Sequence, residues 1–353
     1  MRIVWLFLLL IVVASPVTAF SQGNAQPTCE ESKKECAAKA LKDHAVTRID
    51  FWKDALVKPV LDRMGAAPPK LVEYLNLDNI RNGFPNKPRA ATLTPDFRRD
   101  VHNAIAEIPF EVRQLLSRKL AGIYFVEDLG GTGFTDEIVD AGAKAVAGFV
   151  VLDMSVLAKQ TANAWATWKE NTPFKAQPGI RLVAEIERKQ QNNRKNAIQY
   201  ILLHEFGHVL SINEKFHPSW KLDAREITSS AEYPWFGSSW DVSPEDNRFV
   251  THYDRDFPQR KDVVYYLGAK LPADQMIAAY DNLEQTNFAT LYSVTTPADD
   301  FAEAFASYVH TVLMNKPFEI RIYRDDKLAK LYQSCWTAKR CLQKRRMIER
   351  LFN

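Results

Sequence analysis

The chain has 353 residues, 46% hydrophobic and 25% charged, the proportions of an ordinary globular protein long enough for one or two domains. Its 46 Lys and Arg against 43 Asp and Glu leave a net charge of +3. So small a balance provides no broad basic field and argues against nucleic acid as a partner.

At the N-terminus Arg2, the apolar run Ile3 to Val13 and the small-residue pattern Val17-Thr18-Ala19 read as a signal peptide over 1–19. The run is shorter than the roughly 20 residues a membrane span needs. The expectation is export, to a periplasm or to the outside, after cleavage near Ala19. Four cysteines in an exported chain suggest two disulfides. Cys29 with Cys36, and Cys335 with Cys341, fall in stretches that read as helical. There, residues six or seven apart are separated by about 9–10.5 Å, beyond the roughly 7 Å a disulfide tolerates. Of the three connectivities, Cys29–Cys341 with Cys36–Cys335 is therefore favoured, joining the two ends of the chain.

Residues 20–92 read as an N-terminal helical region. Lys33 to Leu61 is mostly helix-forming, and Pro68-Pro69 and Asn82-Gly83-Phe84-Pro85-Asn86 punctuate the remainder of that region. A second unit, 93–353, opens at Thr94-Pro95-Asp96, an N-cap with Pro at the first helical position. Val101, Ile105, Ile108, Val112 and Leu115/Leu116 continue it as a helical stripe. Gly122 to Val126 and Ala147 to Leu152 are strand-like. Between them Gly130-Gly131-Thr132-Gly133 reads as a loop or hairpin turn, because no Lys-Ser/Thr follows and no G-x-G-x-x-G exists. Ile180 to Glu187 is another strand-like run. The polar stretch Gln190 to Asn196 then leads into a helix striped by Ile198, Ile201, Leu202, Val209 and Leu210.

On that helix lies His204-Glu205-Phe206-Gly207-His208, the pattern H-E-x-x-H. Two histidines four apart share a face, with Cβ atoms about 6 Å apart, and can converge on one ion at Zn–N distances of roughly 2.0–2.1 Å. Glu205, beside the first histidine, can take a proton from a water on that ion. The plainer reading is a buried helix with two satisfied core histidines. A catalytic zinc also needs a third protein ligand. The longer pattern with a third His fails, since Ser211 and Glu214 stand where Gly and His would be; this argues against a metzincin. Further on, Asp299 and Glu303 are four apart behind a Thr296-Pro297 helix start. His217, His252 and His310 are weaker ligand candidates, and Tyr308 stands behind Tyr292 as a donor candidate. Residues 213–290 form a long insertion with Trp220, Tyr233, Trp235, Phe236, Trp240 and Tyr253, either core anchors or the lining of a peptide cleft.

The motif His204 to His208, with Tyr292 seven residues before the acid of Asp299-Asp300-Phe301-Ala302-Glu303-Ala304-Phe305, resembles the catalytic domain of anthrax lethal factor and the Pro-Pro endopeptidases, which are gluzincin-type zinc metallopeptidases. The resemblance covers about a tenth of the chain. It implies an α+β, zincin-like domain, a small mixed sheet carrying the H-E-x-x-H helix. It also implies Zn2+ held by His204, His208 and Asp299, with Glu205 as general base and Tyr292 as oxyanion donor. Glu303 becomes the residue that orients a ligand histidine. The family usually has Glu where this chain has Asp299. Either the backbone sits closer, or Glu303 is the ligand instead.

The expected function is an exported zinc metallopeptidase acting on a protein or peptide substrate. The alternatives are a non-catalytic zincin-fold binding or scaffold protein, and a metal-dependent hydrolase of cell-wall amides. The basic C-terminal stretch, Lys339 to Arg350, reads as an amphipathic helix docked on its apolar face, or as a weak adhesive for an anionic membrane or wall surface.

Overall fold

The computed structural model describes residues 34–352, so the signal-peptide and Ala19 readings, and Cys29, lie outside the described residues. The described chain begins with α1 (Lys34–Lys42), α2 (Ile49–Leu56), a short strand β1 (Met64–Ala66) and α3 (Pro69–Asn82). α3 starts on Pro69 and stops at Gly83, whose φ of 78° is the left-handed conformation that closes a helix. After β2 (Arg89–Ala90) comes α4 (Pro95–Ala106), capped by the Thr94 hydroxyl accepting from Phe97 N. The apolar stripe beyond it belongs to a second helix, α5 (Phe110–Leu116), because Pro109 cannot continue α4.

Next come β3 (Leu120–Glu127), β4 (Gly133–Val139) and β5 (Ala145–Asp153), the helices α6 (Met154–Leu157) and α7 (Ala162–Asn171), and the strands β6 (Phe174–Lys175) and β7 (Ile180–Glu185). The H-E-x-x-H helix is α8 (Arg194–Ser211). The insertion contributes β8 (Trp240–Val242), β9 (Phe249–Thr251), β10 (Leu271–Pro272) and α9 (Met276–Glu284). The chain closes with α10 (Pro297–Tyr308), the hairpin β11 (Glu319–Arg324) and β12 (Lys327–Gln333), and α11 (Leu342–Glu349).

The fold is α+β. Its main sheet has the order β1-β3-β5-β4, with β2 pairing to β3. β1, β3 and β5 run parallel, while β4 is antiparallel to β5 and forms the edge. β3 and β5 are nearly continuous apolar runs because both faces of the sheet are covered. Val150 and Leu152 of β5 face the larger core, which includes α4, α8 and α10; Ala147, Phe149 and Val151 face a second core with α1 to α3. β7, β11 and β12 form a separate antiparallel sheet. Among the described residues no helix is long and apolar enough to cross a membrane.

The expected disulfide pairing is overturned. Cys335 is bonded to Cys341, with their Cα atoms 5.9 Å apart. The helix-spacing argument fails because Cys335 lies in an irregular turn and Cys341 ends a short 3-10 turn, Lys339–Cys341, ahead of α11. Cys36 is disulfide-bonded as well, and so is not the partner of Cys335. The C-terminal basic stretch is partly internal: Lys344 is fully buried, and Arg340 donates to the carbonyls of Thr286 and Phe288.

Candidate metal centre

α8 starts where the Asn193 side chain accepts from Asn196 N, and it is buried on nearly all sides by the sheet, α4, α7 and α10. Gly207 lets α10 approach: a Cβ there would lie 2.6 Å from Ala302 Cα and 3.0 Å from its carbonyl oxygen. α10 begins at Thr296, whose hydroxyl accepts from Asp299 N at 3.1 Å. Two helices with ordinary local signals thereby place their polar positions against each other.

Three donor atoms converge. His204 Nε2 and His208 Nε2 are 3.2 Å apart, and Asp299 Oδ1 lies 3.8 Å from the first and 3.6 Å from the second. These separations are close enough for the three atoms to share one ion, for which Zn–N and Zn–O bonds of roughly 2.0–2.2 Å would be needed. The donor set fits as well: two imidazoles with one carboxylate suit zinc better than magnesium or calcium. Asp299 Oδ2 accepts from the Thr295 and Thr296 hydroxyls at 3.1 and 2.7 Å, which leaves Oδ1 facing the imidazoles. Burial works against the Asp299 charge, but His208, His204 and Thr296 together hold its carboxyl below the usual range.

Glu303 stands behind His204. Its Oε1 is 2.9 Å from His204 Nδ1, and its Oε2 accepts from the Thr290 hydroxyl at 2.7 Å. A carboxylate on Nδ1 fixes the proton there and turns the Nε2 lone pair towards the other two donors. Burial opposes charging His204, yet its bond to Glu303 raises its pKa overall; Glu303 is held well below the carboxylate range, against burial, by Lys169 and His204. Lys169 Nζ donates to the same Glu303 oxygen at 3.0 Å from a site only 3% exposed.

Glu205 lies on the other side, its Oε2 accepting from the Thr135 hydroxyl of β4 at 2.5 Å. Tyr292 occupies a 3-10 turn before α10, with its ring stacked on His204 at 5.4 Å between centroids and 16° between planes. Burial, then the Asp299 charge, push its phenol well above 10, so it remains a hydrogen-bond donor. A pocket of 240 Å³ is lined by His204, Glu205, His208, Tyr292, Asp299 and the Gly133–Thr135 segment of β4. A larger cavity of 730 Å³ continues along β4 and shares Phe134, Thr135 and Trp220 with it.

The remaining candidates lie elsewhere. His310 donates to the backbone, its Nε2 2.7 Å from Ile186 O. Tyr308 bonds Glu349 and faces a different cavity. His217 packs among Trp220 and Phe301 with its Nδ1 on Pro218 O, and His252 sits beside Tyr253. Of the insertion aromatics, Trp235 and Trp240 are core residues donating to Asp300 Oδ2, both at 3.1 Å, whereas Trp220 edges against His208 in the cleft. Sequence reasoning missed Thr135, Lys169 and Asp300. A signal existed for Lys169: Ala162, Trp165 and Ala166 set a buried stripe on α7 that projects directly onto it.

No family model matches the chain, and no curated protein or solved structure is detectably similar to it.

Proposed function

We propose that the chain is an exported zinc metallopeptidase with a zincin-type catalytic domain. The observation that carries this reading is the meeting of two imidazoles and a carboxylate at ion-binding distances with Glu205 on the rim of the same pocket. A closed structural metal site has no need of that extra carboxylate. His204, His208 and Asp299 would hold Zn2+, with Glu303 orienting His204. When bound, zinc supplies Lewis acidity, bringing a water in its open position to a pKa of about 7 and polarising a carbonyl.

The chain's own residues account for the rest. Glu205, steadied by Thr135, accepts the proton of the attacking water and passes it to the departing amine. The Tyr292 phenol donates to the negative charge developing on the carbonyl oxygen. Along Gly133 to Thr135, where it lines the pocket, β4 pairs only with β5 among the described residues, which leaves that stretch of its outer edge to an extended peptide. That edge favours a peptide backbone as the substrate.

The test is zinc content and hydrolysis of a mixed peptide library by the purified mature protein, beside Glu205→Gln. The variant should retain zinc and lose turnover by about 10²–10⁴-fold, the contribution of a general base. Undiminished hydrolysis by the variant would sink the mechanism. A wild-type protein that binds zinc and cleaves no peptide would point to the scaffold or wall-amide alternatives.

A further inference from the structure

We propose that Lys169 is a positioning residue of this centre, fixing in one place the carboxylate that orients His204 and the ring that carries the oxyanion donor. The inference rests on the peptidase reading and deepens it.

Lys169 occupies the inward stripe of α7, where an aliphatic residue would ordinarily sit. Burying an ammonium is costly unless it is paired, and apolar residues in place of the whole ion cluster often support a fold equally well. Its contacts indicate why a charge stands there. Nζ lies 3.0 Å from Glu303 Oε1 and 3.4 Å from Glu170 Oε1. It also lies 4.8 Å from the Tyr292 ring centroid, within cation–π range. Glu170 is itself anchored, its Oε2 accepting from the Tyr265 and Tyr280 hydroxyls, each at 2.9 Å.

One ammonium therefore bridges two buried carboxylates and touches the ring stacked on His204. Without it, Glu303 and Glu170 are neighbouring buried anions with no cation between them, and Glu303 loses the donor that holds Oε1 in line with His204 Nδ1. The Tyr292 ring loses its contact at the same stroke. Lys169 touches neither the three donor atoms nor the 240 Å³ pocket, so its effect is on geometry and not on substrate contact.

The experiment compares Lys169→Met, Glu303→Gln and the double variant in the full mature protein. Zinc Kd is read by competition with a chromophoric chelator, kcat and KM on a peptide the wild type cleaves, and folding by the thermal transition. Lys169→Met should weaken zinc by about 10–100-fold, as loss of a ligand-orienting partner does, and lower kcat while KM stays within about twofold. In the Glu303→Gln background the same change should weaken zinc by less than about threefold more, because Lys169 reaches the donor histidine through Glu303. A folded Lys169→Met protein with unchanged zinc Kd and kcat overturns the proposal, and so does a fully multiplicative loss of zinc affinity in the double variant. If Lys169→Met does not fold, Lys169→Met with Glu170→Gln removes the leftover repulsion, and the same zinc and kcat losses are required of it. A wild type without zinc or hydrolysis would sink the peptidase reading; an active wild type with unaffected Lys169 variants sinks this inference alone.

Discussion

Glu205 has room at the rim of the pocket because Gly133 has no side chain. A Cβ at Gly133 would intrude on the Glu205 carboxylate and lie 3.1 Å from Leu152 Cδ2. Gly133→Ala should therefore displace the base and break its bond to Thr135 while leaving the three donor atoms in place. The expected result is full zinc stoichiometry with kcat down by about 100-fold, the effect of a displacement near 1 Å, measured by metal analysis and steady-state kinetics. Loss of zinc in parallel would mean that β4 had pushed α8 itself. Asp299 and Glu303 differ in the same concrete way. The two threonines pin Asp299 with Oδ1 towards the imidazoles, whereas both Glu303 oxygens are engaged by Lys169, His204 and Thr290. Asp299→Ala should abolish stoichiometric zinc, and Glu303→Ala should weaken it about 10–100-fold while leaving it detectable. The reverse ranking in zinc titrations would give the ligand role to Glu303.

At the scale of elements, the centre depends on how α8 and α10 cross and on what holds α10 in register. Next to Asp299, the Asp300 carboxylate points the other way, into the core. There it accepts from Lys344 of α11 at 2.7 Å and from the Trp235 and Trp240 indoles. Asp300→Ala strands a buried ammonium and two indole N–H groups, and should cost about 3–5 kcal/mol in urea unfolding. Adding Lys344→Met should recover most of that loss; no recovery would mean that the indole bonds carry the stability. The features legible in the sequence are the local ones. H-E-x-x-H, the Thr296-Pro297 start and the shared face of Asp299 and Glu303 are all spacings within one helix. The hidden features depend on tertiary partners. The stripe on α7 points Lys169 inward but does not name its acid, and Lys344 looks like a solvent-facing charge; the acids that hold them arrive from 134 and 44 residues away. β4 does not read as a strand because Thr135, Asp136 and Glu137 interrupt its apolar residues, although Thr135 faces the centre and Asp136 the neighbouring cavity. The disulfide pairing fails for the opposite reason: helix spacing does not hold between Cys335 and Cys341, where the chain turns.

For the whole molecule, the sheet with a core on each face buries two histidines far from solvent and keeps them uncharged. Both are embedded by the packing around α10. Burial, then the Lys316 charge, bring His310 down to about 3; burial brings His217 down to about 4. Each ring donates one proton to a backbone oxygen, His310 to Ile186 and His217 to Pro218. Each has a second nitrogen with no hydrogen-bond partner, so an added proton would find no acceptor. In the unfolded chain both titrate near 6.5. Above that pH neither state binds the proton, and the contribution to stability is complete. As pH falls below 6.5 the unfolded chain takes up protons that the fold refuses, so stability is lost progressively down to about 4 for His217 and about 3 for His310. Within those windows each histidine contributes a slope approaching about 1.4 kcal/mol per pH unit. Urea midpoints measured from pH 8 to pH 4 should fall with acidification. His310→Gln, whose amide nitrogen takes the place of Nε2 and can still donate to Ile186, should flatten that fall by close to one proton's worth, whatever the carboxylates add to both proteins alike. Parallel curves for wild type and variant would show that the fold accommodates a charged His310, and that the packing around α10 is looser than its contacts imply.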